Sequence, residues 1–246
     1  MSMMKAAIYQ GRNDIRLEQK PIPAVGPKDV LVRNLRSGIC GTDINIVKAG
    51  GGDLGIGLGA EFGHEMAGEI AAVGAEVPRE ITVGLRVGIN PITAKRAGRR
   101  KSLECSGFSQ YVLVEDAELD RNLYVFPDDV PLEAAALLEP MSVGRHGAFS
   151  ANPQPGEHIV VLGAGPIRLL AAASLLAEGI EHVCVVDIDR WRLDHAARLG
   201  ARTVDTSQTP LADGLAAACG SVNVYGRDVR AGCRCVYRRR GRARAV

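Results

Sequence analysis

An apolar run that ends in a glycine turn and a helix constrains the fold of this chain more than any other feature. The run His158–Leu162 is followed by Gly-Ala-Gly-Pro at 163–166, by a helical pattern over 167–177 and by a second apolar run over 183–187. Strand, turn, helix and strand in this order form the unit of a parallel sheet, because parallel neighbours need a helical crossover between them.

The same unit then begins again. A helical pattern over 190–199 leads to a short apolar run over 202–204. Three strands and two helices indicate the start of a doubly wound α/β sheet, which usually has about six strands. We therefore predict an incomplete doubly wound parallel sheet over residues 141–219.

The glycine turn carries the residues of a dinucleotide site. Gly163 allows the sharp turn, and Gly165 lets a pyrophosphate approach the backbone. The helix that begins at Pro166 and Ile167 presents free N–H groups to that pyrophosphate. Asp187 ends the next run, where a carboxylate accepts hydrogen bonds from ribose hydroxyls and repels a 2′-phosphate. The turn and helix start predict a dinucleotide site, and Asp187 favours NAD over NADP; the alternative is an ordinary strand–turn–helix without a ligand.

One position departs from the dinucleotide pattern. The third glycine would fall at position 168, where this chain has Arg168. That glycine normally permits close packing of helix on strand. We therefore expect Arg168 to push the helix outward or to distort the phosphate site.

The first half of the chain has a different sequence pattern. Short Val- and Ile-rich runs alternate with Gly and Pro turns at intervals of about ten residues over 1–125, which indicates an antiparallel barrel or sandwich. An Ala- and Leu-rich helical pattern follows over 131–150.

Three short segments contain the residue types of a metal site. Cys40 lies in Gly-Ile-Cys-Gly-Thr-Asp, His64 and Glu65 follow a glycine, and Glu139 lies in Leu-Glu-Pro. A thiolate, an imidazole and carboxylates are the ligands of a catalytic zinc, which takes about three protein ligands and keeps one open position. Taken singly, each residue is more often a buried thiol or a polar surface group.

Together, the segments GICGTD, FGHEMAGEI, ALLEPMSVG and VVLGAGP resemble the zinc-dependent medium-chain dehydrogenase/reductase family. The resemblance covers about residues 3–219, in the family's order, and is closest to the polyol, butanediol and threonine dehydrogenases. It implies a GroES-like β-barrel catalytic domain over residues 1–140, followed by a partial Rossmann NAD-binding domain over 141–219.

The resemblance also implies the roles of single residues. Cys40 and His64 match zinc ligands, and Glu65 and Glu139 match carboxylates that bind the metal directly or through water. Thr42 matches the hydroxyl that takes the substrate proton, and Asp43 a partner that steadies the metal site. Asp187 matches the ribose-binding acid, and Arg192 the basic residue near the adenosine.

The activity implied is the zinc- and NAD-dependent oxidation of a secondary alcohol or polyol to the ketone by hydride transfer. The substrate would be a small molecule, and family members form homo-oligomers. Two alternatives stay open: a fragment that binds zinc without catalysis, and a zinc-free quinone or enone reductase of the same superfamily.

Two departures concern metal and proton transfer. The segment after Asn90 and Pro91 has Cys105 as its one thiol, whereas many relatives have four cysteines there, so we predict one catalytic zinc and no structural zinc. Asn45 stands where the family often has a histidine, so we expect the proton path to run through water.

Five basic residues in the segment after Pro91 predict a solvated loop: Lys95, Arg96, Arg99, Arg100 and Lys101.

The end of the chain differs sharply in charge. Residues 220–246 contain eight arginines and one acid, Asp228, whereas residues 1–219 have 22 basic and 27 acidic residues. We predict an aberrant or disordered tail over 220–246, of the kind that a frameshift would produce. By the same resemblance, the family continues here for about a hundred residues, which include the dimer-forming edge strand. The rival hypotheses are a basic tail for anionic partners and a metal site at Cys233 and Cys235.

Composition excludes several other classes. The chain is 46% hydrophobic and 24% charged, which is typical of globular proteins. Aromatic residues make up 4%, too few for a nucleic-acid binder that works by stacking. We predict no membrane span and, from a polar N-terminus and cysteines without framework spacing, a cytoplasmic protein.

Overall fold

The computed structural model describes residues 2–95, 105–224, 227–230 and 233–237. The chain divides into two compact units, Met1–Glu139 and Pro140–Val246. The domain boundaries given above stay predictions.

The first unit is built mainly of strands. Its strands are β1 (Met3–Gly11), β2 (Asp14–Pro21), β3 (Val30–Ser37), β4 (Ala60–Glu61), β5 (Met66–Val73), β6 (Arg86–Ile89), β7 (Tyr111–Val114) and β8 (Leu123–Val125). Its helical elements are α1 (Gly41–Ala49), a 3-10 turn (Gly52–Leu54) and α2 (Leu132–Ala135), and α3 (Leu138–Phe149) begins at its end.

These strands form two antiparallel sheets. One has the order β7-β3-β5-β6-β8 and the other β2-β1-β4. A bridge between Ala6 and Ser109 joins them. Inward-facing Val30, Val32 and Ile70 are fully buried in the core between strands. The antiparallel first domain expected from the sequence is thereby confirmed.

The helical pattern over 131–150 is interrupted. Helix α2 ends at Ala135, and α3 begins at Leu138. Pro140 explains the break, because a proline ring clashes with the carbonyl of the residue four positions earlier, here Ala136. The single helix expected from composition is therefore two helices, and the break sets where Glu139 lies.

The second unit alternates strands and helices. Its elements are β9 (His158–Leu162), α4 (Pro166–Ala177), β10 (His182–Asp187), α5 (Arg190–Arg198), β11 (Arg202–Asp205), α6 (Leu211–Cys219), β12 (Ser221–Val224), β13 (Arg227–Arg230) and β14 (Cys233–Tyr237). The parallel strands have the order β11-β10-β9-β14, and β12 pairs with β13 alone. The Rossmann-type parallel sheet is confirmed.

The structure adds a strand that the sequence does not predict. Strand β14 pairs in parallel with β9, with Cys233 opposite His158. Backbone N–H and C=O groups at the open edge of β9 accept any extended segment, so this pairing needs no side-chain pattern. Residues 238–246 lie outside the described residues.

No helix among the described residues is long and apolar enough to cross a membrane. In the basic segment, Lys95 donates a hydrogen bond to the carbonyl of Leu113 at 2.7 Å. The other four basic residues of that segment lie outside the described part of the chain: Arg96, Arg99, Arg100 and Lys101.

Candidate metal centre and dinucleotide turn

Cys40 is positioned by the start of helix α1. It is the extended residue just before the helix, and its backbone N–H donates to Asp43 Oδ2 at 2.8 Å. This is the usual way for an acidic side chain in the first turn to close a helix N-terminus. Because Asp43 holds the backbone of Cys40, the thiol of Cys40 stays half-buried near the helix start.

His64 and Glu65 come just before β5, after a turn that only glycine permits. Gly63 has a φ of +92°, and a Cβ there would lie 2.8 Å from the ring of Phe108. Both His64 and Glu65 are buried, with exposed fractions of 5% and 6%. A Cβ at Gly38 would overlap the carboxylate of Glu65, so a second glycine makes room for that group.

The two segments bring three donor groups together. The Cys40 Sγ, an imidazole nitrogen of His64 and a carboxylate oxygen of Glu65 all lie within 4.8 Å of one another. Ligand atoms of a tetrahedral zinc lie about 3.5 Å apart at bond lengths of about 2.0–2.3 Å. Small side-chain rotations would therefore bring all three into bonding distance of one ion.

Two buried atoms support the fit of a cation. His64 Nδ1 and Asp43 Oδ1 face each other at 3.6 Å, and neither has a hydrogen-bond partner among the described residues. Since Nδ1 faces Asp43, Nε2 is the ring nitrogen available to a metal. An outer carboxylate of this kind orients a ligating histidine and makes it a better donor.

Burial is the largest influence on the pKa of each carboxyl group in the cluster. Burial raises the pKa of Asp43, of Glu65 and of Glu139 above their usual range, although the His64 charge opposes this. For His64, burial favours the neutral ring, but contact with Cys40 and the nearby acids outweighs it and raises its pKa. A bound divalent cation would favour the ionised carboxylates that burial disfavours.

Glu139 lies at the edge of this cluster. It is half-buried near the start of α3. The charges of His64, Glu65 and Asp43 all act on its pKa, so it belongs to the same electrostatic environment. It is not one of the three mutually close donors.

Thr42 and Asn45 lie on helix α1. The Cys40 thiol donates to Thr42 Oγ1 across 3.6 Å, and Thr42 is half-buried. This places a hydroxyl beside the sulfur donor. Asn45 is exposed on the same helix.

An apolar cavity beside the cluster was not predicted from the sequence. It has a volume of about 400 Å³ and includes Asp43 in its lining. Its apolar lining comes from Ile39, Ile44, Phe62 and Phe108, among others. Ile39 and Phe62 flank the metal motifs in the sequence and could have suggested it, but Phe108 carries no sequence signal.

The glycine turn of the second unit is closed by Asp187. Gly163 has a φ of +99°. Asp187 Oδ2 accepts a hydrogen bond from the Ala164 amide at 2.6 Å, and Oδ1 accepts from the amides of Ile188 and Asp189. Burial favours the protonated acid, but these donors and the Arg192 charge outweigh it, so the pKa of Asp187 is lowered.

The helix after the turn begins as the sequence predicts. Gly165 is the residue before α4, and Pro166 and Ile167 are its first two positions. With no Cβ at Gly165, the amides at the helix start are open to a ligand. On α5, Arg192 lies beside Asp189, with Nε 3.4 Å from its carboxylate.

Helix α4 packs closely on the sheet despite Arg168. Ala171, Ala172 and Leu175 of this helix are fully buried in the core with Ile159 and Val185. These buried contacts hold helix α4 against the sheet. The flexible stem of Arg168 runs over Gly163 instead, where a Cβ would lie 2.9 Å from Arg168 Cδ.

Known proteins resemble this chain over most of its length. A family model described as the alcohol dehydrogenase GroES-like domain matches residues 26–121. A sorbitol dehydrogenase of Bacillus subtilis (strain 168) is 36% identical over 211 residues, covering 80% of this chain and 60% of the relative. The chain thus spans about three fifths of the length of the curated relatives it matches.

Solved structures agree with the sequence relatives. The 2R,3R-butanediol dehydrogenase from Bacillus subtilis is 30% identical with a TM-score of 0.74, covering 87% of this chain and 67% of that one. An alcohol dehydrogenase from Escherichia coli CFT073, solved with NADH, is 27% identical with a TM-score of 0.73, covering 88% and 66%.

An antiparallel GroES-like unit followed by a parallel Rossmann-type unit defines a two-domain dehydrogenase class. Within that class, the chain belongs to the medium-chain dehydrogenase/reductase family, in its alcohol and polyol dehydrogenase branch.

Proposed function

We propose that this chain is a zinc- and NAD-dependent oxidoreductase that oxidises a secondary alcohol or polyol to the ketone. The observation that carries the proposal is the buried group of Cys40, His64 and Glu65, whose donor atoms lie within 4.8 Å of one another. A thiolate, an imidazole and a carboxylate suit zinc better than magnesium or calcium, which prefer oxygen ligands alone. Because a zinc-binding thiol must be reduced, we also propose a cytoplasmic location.

Each residue of the cluster has a role in the proposal. Cys40, His64 and Glu65 hold the metal, and Glu139 is the carboxylate that binds it directly or through water. Asp43 orients the His64 ring through the facing Nδ1 atom at 3.6 Å. When bound, zinc supplies a Lewis acid that lowers the pKa of an alcohol, and the nicotinamide ring accepts a hydride.

Thr42 moves the proton. Its hydroxyl lies beside the Cys40 sulfur, so it can accept the proton of an alcohol placed at the metal centre and pass it to water. A positioned hydroxyl and water chain is a common route for such transfer. Asn45 stands where the family often has a histidine and cannot act as a base, so the proton passes from Thr42 to water.

The second unit supplies the nucleotide site in the proposal. Gly163, Gly165, Pro166 and Ile167 form the turn and helix start that receive the pyrophosphate. Asp187 receives the ribose hydroxyls and, being ionised, disfavours the extra phosphate of NADP. Arg192 is the basic residue near the adenosine of the bound nucleotide.

The relatives support a small alcohol as substrate. The relatives named above are sorbitol and butanediol dehydrogenases. Which alcohol is used can be tested with a panel of secondary alcohols and polyols.

Metal analysis combined with NADH formation tests the proposal. We expect about one zinc per chain and NADH production with at least one secondary alcohol. The Cys40→Ser variant should lose both. Cys219→Ser is the matched control, since Cys219 is a half-buried free cysteine of helix α6, and it should keep both.

The outcomes separate the alternatives. Zinc without turnover by any substrate would favour a metal-binding chain without catalysis. Turnover of an enone or quinone without zinc would favour the zinc-free reductase. Zinc retained fully by Cys40→Ser would contradict the assigned ligand set.

A further inference from the structure

A turn over residues 106–109 packs against the segment that carries His64. The N–H of Gly107 donates to the carbonyl of Gly63 at 3.0 Å, and the N–H of the residue after it donates to Phe62 at 3.1 Å. Hydrogen bonds are directional, so two of them in succession fix both the distance and the orientation of the segment that accepts them. The 106–109 turn therefore sets where the backbone of His64 begins.

The contact at Gly107 leaves no room for a side chain. Gly107 is buried, and a Cβ there would lie 2.7 Å from the carbonyl carbon of Gly63 and 2.9 Å from the amide nitrogen of His64. Both neighbours are backbone atoms, which cannot rotate away as the end of a side chain can. The φ of Gly107 lies outside the left-handed region, so an alanine at this position would act by displacing its neighbours alone.

Phe108 adds a side-chain contact from the same turn. Its ring packs edge-to-face on Phe62, with ring centroids 5.0 Å apart and planes at 78°. The ring also lies over Gly63, where a Cβ would be 2.8 Å from Phe108 Cδ2. Edge-to-face packing of two rings is favourable and directional, so Phe108 holds the two residues that precede His64.

The 106–109 turn is also anchored to the strand that leads to Cys40. The Nδ2 amide of Asn34 donates to the carbonyls of Gly107 at 2.7 Å and of Ser109 at 3.1 Å. The hydroxyl of Ser37 donates to the Gly107 carbonyl at 2.6 Å. Both donors belong to β3, which ends three residues before Cys40. The turn thus connects the segment of the proposed sulfur ligand with that of the proposed imidazole ligand.

We propose that Gly107 and Phe108 are positioning residues for the metal centre, which fix the place of His64. The inference rests on the zinc site proposed above. Neither side chain offers a ligand atom, so both act on the metal only through the backbone of the histidine. A ligand that is already held in place loses less freedom when the metal binds. Zinc affinity should therefore depend on the 106–109 turn.

Gly107→Ala is the direct test, because its methyl group must displace the His64 backbone. Zinc affinity, measured on the full chain by competition with a chelator, should fall about ten-fold or more, as when the outer contacts of a metal ligand are lost. Cobalt(II) bound in place of zinc should give a changed visible spectrum, because that spectrum depends on the arrangement of the donors.

Gly74→Ala is the matched control for a steric clash elsewhere in the same unit. A Cβ at Gly74 would overlap the carbonyl oxygens of Gly26 and Pro27. Gly74 directly follows the eight-residue strand β5, and His64 precedes that strand, so about 25 Å separates the two positions. This variant should lose stability in urea unfolding, yet keep zinc affinity within about two-fold and the same cobalt spectrum.

Phe108→Leu is a second variant that leaves the backbone of the turn unchanged. It removes the ring contacts with Phe62 and Gly63, so zinc affinity should fall about three- to ten-fold. Phe126→Leu is its control, since Phe126 is a partly buried phenylalanine of the same unit that packs with Ala67 and neighbouring alanines. It should bind zinc as the unchanged chain does. If Gly107→Ala does not fold, this second pair decides the question.

The results that would overturn the inference differ from those that would overturn the zinc site. Unchanged zinc affinity and cobalt spectrum in Phe108→Leu and in folded Gly107→Ala would show that the turn does not position the ligand. An equal loss of zinc affinity in Gly74→Ala would assign the effect to general destabilisation. Absence of zinc from the unchanged chain would instead remove the proposed metal centre, and this inference with it.

Discussion

Cys40 and Cys105 lie in the same unit, and their surroundings give their thiols different chemistry. Cys40 lies at a helix start beside His64 and Thr42. Cys105 is fully buried in the first core, and burial raises its pKa to about 11. A thiol that resists ionisation is a poor metal ligand, so Cys105 acts as a core residue.

The raised pKa of Cys105 predicts a loss of stability at high pH. The unfolded chain loses this proton near pH 9.0, but the folded chain holds it to about 11. The folded state therefore binds more protons in that window, and stability falls as pH rises through it, by about 2–3 kcal/mol from this group. Urea unfolding followed by circular dichroism between pH 8 and 11 measures the loss.

The Cys105→Ala variant should lose less stability than the unchanged chain over the same pH range. Cys219→Ala serves as the control, because Cys219 is only half-buried. Identical pH slopes for the unchanged chain and Cys105→Ala would refute the prediction.

The proposed role of the Thr42 hydroxyl in proton transfer predicts how substitutions at this position change kcat. Thr42→Val removes the proposed proton acceptor while keeping the shape of the side chain. We expect kcat to fall by about 10²–10⁴-fold, with zinc content and NADH affinity unchanged, and Thr42→Ser to restore most of the rate. Steady-state kinetics with one active alcohol decides this, and a Thr42→Val rate within two-fold of the unchanged chain would exclude the role.

At the scale of elements, α3 and α4 approach each other closely at Gly144. A Cβ there would lie 2.7 Å from the Ile167 carbonyl oxygen and 2.9 Å from the Ala171 amide nitrogen. Both neighbours are helix backbone, which cannot rotate away. The contact helps to fix the start of α4, and with it the glycine turn.

Gly144→Ala should therefore destabilise the second unit by about 1–3 kcal/mol. Gly57→Ala is the comparison, because a Cβ there meets nothing within 4 Å, and it should be close to neutral. Thermal unfolding followed by far-ultraviolet circular dichroism measures the difference between the two variants. An unfolding midpoint for Gly144→Ala equal to that of Gly57→Ala would argue against the close approach.

The elements differ in how far the sequence predicts them. Strand β9, helix α4 and strand β10 agree with the pattern within one residue, because apolar periodicity and the turn glycines set them. The pairing of β14 was not predictable, since backbone hydrogen bonds at a sheet edge leave no side-chain period. The break between α2 and α3 could have been predicted from Pro140, although the Ala- and Leu-rich composition alone suggested one helix.

The sequence predicts the candidate site only in part as well. Cys40, His64 and Glu65 were identifiable by residue type and motif, and the structure brings their donors together. The facing pair of His64 and Asp43, 3.6 Å apart, depends on how two segments pack and is not visible in a linear sequence. The path of Arg168 over Gly163 is also a packing result, since the sequence indicated only that a glycine was replaced.

For the whole molecule, the two kinds of chemistry lie in separate units. All four proposed metal ligands fall within Met1–Glu139, and the glycine turn and Asp187 fall within Pro140–Val246. Zinc binding and dinucleotide binding can therefore be measured independently on the same chain. A result for one does not depend on the other, which keeps the parts of the proposal separately testable.

In the proposed function, Cys40, His64 and Glu65 share one zinc ion. X-ray absorption at the zinc edge, on the full chain loaded with one equivalent, tests it most directly. We expect one sulfur at about 2.3 Å with nitrogen or oxygen ligands at about 2.0–2.2 Å, and loss of the sulfur in Cys40→Ser. A chain that retains no zinc, or a zinc surrounded by nitrogen and oxygen alone, would contradict it.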